Sequence, residues 1–179
     1  EDFIRDGLVM DKQSLAFSVA AVYACVRVIA ETTASLPLIL YRRRADGGKD
    51  RADADPLYDL LRTKPNPFQT SMEFREQMMS HALLRGNAYA RIDRDERTGE
   101  ATALWPMSAD QVRAVVLDDG AMVYEYRLGL DIAYLAAESV LHIRGLGNGT
   151  IGLAKIEFMR AGLDEAAKAQ TSAARTFGT

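Results

Sequence analysis

Thr70-Ser71-Met72-Glu73-Phe74-Arg75, running on to Leu83-Leu84-Arg85-Gly86-Asn87-Ala88-Tyr89-Ala90-Arg91-Ile92-Asp93, is where the chain changes its period. Thr70 with Glu73 three residues later is a capping box: each side chain satisfies a backbone N–H that the first helical turn leaves open. The helix so opened carries Met72, Met79 and Leu83, with Phe74 and Met78, as apolar contacts. Gly86 stands just past its end, where a left-handed residue closes a helix. Methionines at this spacing fit an adaptable groove or a filled core, and the core is the plainer reading. From Ala88 to Asp93 the pattern becomes extended. A helix handing over to strands at one glycine predicts an α+β fold.

Downstream, short extended runs continue. Arg97-Thr98-Gly99 makes a loop before Ala101 to Trp105, and Val112 to Leu117 faces Met122 to Arg127 across Asp118-Asp119-Gly120, a hairpin signal. Val140 to Ile143 is one more strand. These form an antiparallel β subdomain flanked by helices. Tyr124 and Tyr126 share a strand face, as a base-stacking platform or, more simply, as cross-strand packing. Trp105 before Pro106 reads as a packed anchor.

Upstream, residues 18 to 35 read as a helix capped by Ser18, with Val19, Val22, Tyr23, Val26, Ile29 and Ala30 at helical steps. Pro37 prevents its continuation. Leu38 to Arg43 reads as a strand, Asp46-Gly47-Gly48 as a turn, and Asp55-Pro56 as the cap of a short helix carrying Leu57, Leu60 and Leu61. Pro65-Asn66-Pro67 is a stiff connector. At the other end, residues 153 to 177 read as an alanine-rich helix with Ile156, Met159, Leu163, Ala166, Ala174 and Phe177 on one stripe. At about 1.5 Å per residue it reaches roughly 37 Å. The expected division is an extension at 1–17, an α/β domain at 18–152 and a long helix at 153–179, in a fragment of a longer chain.

The chain has 179 residues, of which 48% are hydrophobic and 26% charged, the make-up of a globular domain. With 22 basic and 25 acidic side chains its net charge is −3, which lacks the basic excess of a general nucleic-acid-binding surface. Arg42-Arg43-Arg44 reads as a solvated strand edge. Cys25 is alone and excludes an internal disulfide, and with His81 and His142 far apart in sequence a zinc site has no support. No apolar run is long enough for a membrane span, and no signal-peptide pattern opens the chain.

Gly147-Asn148-Gly149-Thr150-Ile151-Gly152 fits G-x-G-x-x-G and offers the alternative of a nucleotide-binding enzyme domain. That motif needs an acid ending a second parallel strand about 20 residues on, whereas Asp164 and Glu165 lie within the expected last helix. A flexible glycine loop is the favoured reading. As an ATPase phosphate loop it fails, since Leu153 and Ala154 stand where Lys and Ser or Thr are required. No G-x-S-x-G elbow occurs, Cys25 lies in an apolar helix, and no carboxylate spacing singles out an acid/base pair. His142 reads as a strand residue facing a polar partner and His81 as an ordinary helix residue. No catalytic, cofactor-binding or metal-ligating residue is expected.

Val22-Tyr23-Ala24-Cys25-Val26-Arg27-Val28-Ile29-Ala30-Glu31, continuing through Ala34-Ser35-Leu36-Pro37-Leu38, resembles the opening helix and strand of the portal proteins of tailed double-stranded-DNA bacteriophages. Pro56 to Leu61, Lys64-Pro65-Asn66-Pro67, Glu73-Phe74-Arg75, Gly86 to Ala90, Leu104-Trp105-Pro106, Val140 to Arg144 and Gly152-Leu153 follow in the same order. The resemblance implies the N-terminal, wing-type part of a portal subunit. It implies a homo-oligomeric ring, usually of twelve copies, at one capsid vertex of the virion, assembled in the bacterial host cytoplasm. Double-stranded DNA passes through such a channel without sequence specificity, for packaging and ejection. The implied partners are terminase, the major capsid protein and head-completion or tail connector proteins, with no enzyme activity, cofactor or membrane.

Overall fold

The computed structural model describes residues 12–153. The order is α1 (Lys12–Ser35), β1 (Tyr41–Arg43), β2 (Lys49–Arg51), α2 (Pro56–Arg62), α3 (Ser71–Arg85), β3 (Asn87–Arg94), β4 (Ala101–Met107), β5 (Val112–Val116), β6 (Met122–Leu128), β7 (Asp131–Ala136), a one-turn 3-10 helix at Ala137–Ser139, and β8 (Val140–Arg144). The α+β class holds, and every ladder among the described residues is antiparallel.

The capping box forms as its sequence requires. Thr70 Oγ1 accepts the Glu73 N–H at 3.3 Å, and the Glu73 carboxylate accepts the Thr70 N–H at 2.7 Å. The Thr70 N–H and then the Thr70 hydroxyl, which donates at 2.8 Å, both stabilise the Glu73 carboxylate and hold it below its ordinary pKa. Asp55 caps α2 by accepting the Leu57 N–H at 3.1 Å, ahead of Pro56 in the first turn. Gly86 closes α3 at φ 74°, a conformation that a side chain with Cβ resists.

The strands divide into a β1-β2 hairpin and two three-stranded sheets, ordered β4-β3-β8 and β5-β6-β7. β3 is buried on both faces and so joins two cores. Ala88 and Ala90 point to a core with Leu60, Phe74, Met78 and Leu104. Tyr89, one residue out of phase, points to a core between the sheets with Met107, Val112, Tyr124 and Val140. The alanines let α3 lie close on the first sheet. α1 packs on α3 through Ala30 and Ala34, both fully buried, and the Arg75 guanidinium fixes the pair by donating to the Ala34 carbonyl at 2.7 and 3.2 Å.

The connector Pro65-Asn66-Pro67 is a structural clasp along the outer edge of β4. The Leu104 N–H donates to Pro65 O at 2.7 Å, and Asn66 Nδ2 donates back to Leu104 O at 2.9 Å. Trp105 is the expected anchor: its indole N–H donates to Asp93 at 2.6 Å, and its ring lies 5.9 Å from that of Phe68. Pro106 is tolerated in β4 because an edge strand can spare a donor.

Four expectations need correction. α1 begins at Lys12, so Ser18 lies inside the helix and does not cap it. The strand expected from Leu38 pairs only from Tyr41, while β2 and β7 were not foreseen. β7 reads Asp-Ile-Ala-Tyr-Leu-Ala, in which only Ile132 and Tyr134 favour a strand, and pairing with β6 makes it one. The expected antiparallel β subdomain is present and is built of two sheets. Met72 does not join the α3 core: it is 45% exposed while Met78 is 1% exposed, because the buried stripe runs Ser71, Phe74, Met78, Ala82. Arg42-Arg43-Arg44 is exposed, as expected of a solvated edge. The expected helix from 153 lies outside the described residues.

This register has a measurable consequence. Met78→Ala should cost about 3 kcal/mol in chemical denaturation and Met72→Ala less than about 0.5 kcal/mol. Equal costs would place the wrong face of α3 in the core.

Candidate functional site

The turn at Gly86 delivers Asn87 to the first position of β3, where it is buried against the loop that follows β8. Its carboxamide is fully engaged. Oδ1 accepts the Gly152 N–H at 2.8 Å and meets His142 Nε2 at 2.9 Å, while Nδ2 donates to Gly152 O at 2.7 Å. An amide oxygen can only accept, so Nε2 carries the imidazole proton and Nδ1 accepts from the Tyr124 hydroxyl at 3.1 Å. The His142 ring lies 4.4 Å from that of Tyr89 at 31°, and Tyr124 stands edge-on to both. One polar chain thus runs from the loop through β3 and β8 to β6 in the second sheet.

Burial sets its charges. It drives His142 down to about 4, with Arg144 acting in the same direction, so the imidazole is neutral at pH 7. Burial pushes Tyr89 up to about 12, helped by Tyr124, and raises Tyr124 too, against the opposing Arg144. None of the three is tuned toward neutrality, where a proton-transfer group works best.

The loop at 146–153 is not the flexible segment expected. Gly147 and Gly152 form a bridge, the Leu153 N–H donates to Leu146 O at 2.9 Å, and Arg144 donates to the Gly149 carbonyl. Asn148 Oδ1 accepts the Thr150 and Ile151 N–H groups at 3.0 and 2.9 Å. A Cβ on Gly152 would overlap the Gly86 carbonyl, and one on Gly147 would overlap that of Ile151. These two glycines are there for close approach of backbone to backbone. The N–H groups that a pyrophosphate would need at 150, 151 and 152 are already donated within the protein.

The other candidates do not converge. Cys25 is exposed on α1 rather than enclosed. His81 lies on α3, and burial lowers its pKa, opposed by Asp110 and reinforced by Arg85. Its Nδ1 is buried without a partner. Tyr124 and Tyr126 both pack into the core between the sheets, which makes them cross-strand contacts and not a platform. A cleft of about 430 Å³ between α2 and the first sheet is lined chiefly by Leu57, Leu61, Ile92, Leu104 and Leu141. Its Arg94 is committed to the Gly99 and Glu138 carbonyls. Among the described residues no cluster of His, Cys, Asp and Glu could hold a metal, and no helix is long and apolar enough to cross a membrane. Asp164 and Glu165 lie outside the described residues. Asn87 and Asn66, the two buried amides that organise the chain, were not singled out from sequence. An Asn placed directly after a helix-closing glycine was the available signal.

The polar groups of this interior are spent on joining its own segments, and comparison with known proteins gives the family. The chain belongs to the phage portal protein family, whose model matches residues 20–179. It is 32% identical over 158 residues to the portal protein of Enterobacteria phage HK97, covering 87% of this chain and 36% of that protein. It is 36% identical over 109 residues to protein BeeE of Escherichia coli (strain K12), covering 61% of each. Among solved structures it is similar to a chain in the neck of an empty GTA particle computed with C6 symmetry, with TM-score 0.67, 26% identity, and coverage of 85% of this chain and 42% of that one. A chain in the neck of a native GTA particle computed with C12 symmetry shares the fold at TM-score 0.64 and 24% identity. The chain thus spans well under half the length of the HK97 portal protein and of these neck chains.

Two outcomes follow from the polar chain. Asn87→Ala strands the Gly152 backbone and His142 and should cost about 3 kcal/mol in urea unfolding; a loss under about 0.5 kcal/mol would contradict the clasp. Between about pH 6.5, the unfolded histidine value, and the folded value near 4, unfolded His142 binds a proton and folded His142 does not. Stability should therefore be full above pH 6.5 and fall on acidification through that window, His81 contributing with the same sign. In His142→Gln the decline between pH 7 and 5 should be shallower. An unchanged slope would mean that His142 is not desolvated.

Proposed function

We propose that this chain is the wing-type part of a structural, non-enzymatic portal subunit, which forms a homo-oligomeric ring at one capsid vertex of a virion. The ring is the channel through which double-stranded DNA is packaged and ejected without sequence reading, and it docks terminase, the major capsid protein and head-tail connectors. In this reading it is assembled in the host cytoplasm, and residues 153–179 form a helix leading toward the stem.

The observation that carries the reading is the family match over residues 20–179, joined to an interior in which the candidate reactive groups serve structure. The neck particles with which the fold is shared were computed with sixfold and twelvefold symmetry, which supports the ring. Physics favours a conduit of low basicity, since each Lys or Arg contact to phosphate adds affinity that opposes sliding. The net charge of −3 suits that task.

Negative-stain electron microscopy of the intact protein should show annular particles with a central hole, while a monodisperse monomer at high concentration would sink the proposal. The nucleotide-binding alternative is tested by calorimetric titration with ATP and with NAD. No heat of binding is expected, and micromolar binding abolished by Gly149→Val would restore that alternative.

A further inference from the structure

Sheet edges present unpaired backbone donors and acceptors, and folded proteins guard them with charge, proline, bulges or a covering segment. Most edges here are guarded. β1 and β2 are charged at every position but Tyr41, β4 carries Pro106 and is clasped at Leu104, β5 carries Arg113, and β8 ends in Arg144. β7 differs. Among the described residues it pairs with β6 on one side only, in unbroken register, and after Asp131 at its start it has no charge and no proline. Ile132 and Tyr134, two residues apart and so on one face, are 51% and 67% exposed, and Leu130 in the preceding turn is fully exposed.

We propose that β7 is an assembly edge, along which the next copy of this chain lays an extended segment when the ring closes. This deepens the portal reading and rests on it. Closed rings use head-to-tail contacts, so each copy must offer one surface that a different surface of its neighbour fits. Strand addition suits that need: the main chain supplies affinity, and alternating side chains, here Ile132 and Tyr134, supply specificity. A small ligand would need a concave site, and β7 is an open edge.

The test uses the intact protein carrying Ile132→Lys with Tyr134→Lys, beside wild type and a Thr98→Lys control in the remote β3–β4 loop. About a tenfold loss of ring yield at matched concentration is expected for the double variant, with an unchanged circular dichroism spectrum and normal rings from the control. A benzophenone amino acid at position 134 should give covalent dimers of two copies. Wild-type-like ring yield from the double variant, or cross-links confined to one copy or to a different virion protein, overturns the assembly edge alone. Failure of the wild type to form rings overturns the portal reading together with it.

Discussion

The Asn87 carboxamide is the constraint on which the rest of this fold depends. It is placed by the left-handed turn at Gly86 and grips both backbone groups of Gly152, 65 residues away in sequence. Long-range closure of that kind is costly in chain entropy, so the groups that achieve it must be well satisfied. They are, because the amide oxygen also fixes the His142 tautomer, which in turn orders Tyr124 in the second sheet. Removing one member leaves buried polar groups without partners, and such losses exceed the modest net value of any single bond. The loop after β8 and the contact between the two sheets are therefore one cooperative unit.

Much of this was legible in the sequence where local chemistry decides it. The capping box at Thr70, the Asp55-Pro56 helix start, the Gly86 stop and the hairpin across Asp118-Asp119-Gly120 all involve groups within a few residues of one another. Propensity and turn chemistry are sufficient there. The portal resemblance, read from blocks spread through residues 22 to 153, was also sound. What failed depended on distant partners. β7 is a strand because β6 offers it a ladder, and the buried face of α3 is set by where Ala88 and Ala90 lie. Ser18 resembled a cap because the sequence before it lacks a strong helix signal.

The glycine loop shows how one pattern can serve opposite purposes. In a dinucleotide-binding fold, glycines clear a path for phosphate to reach free N–H groups. Here Gly147 and Gly152 clear a path for the protein's own backbone, and Asn87 and Asn148 occupy the donors. The spacing of the glycines is common to both cases; the acceptors lie elsewhere in sequence. A motif is thus separable from its chemistry only when the partners of its N–H groups are known. The same logic explains why His142 and two tyrosines, which in an open cleft would suggest proton transfer, are here a packed, hydrogen-bonded joint between sheets.

Amide hydrogen exchange at Gly152 tests the clasp most directly. If Asn87 holds the loop, this N–H is protected to the level of the β3 core amides and exchanges with them. Exchange at the rate of an open, solvated loop, while β3 stays protected, would contradict it.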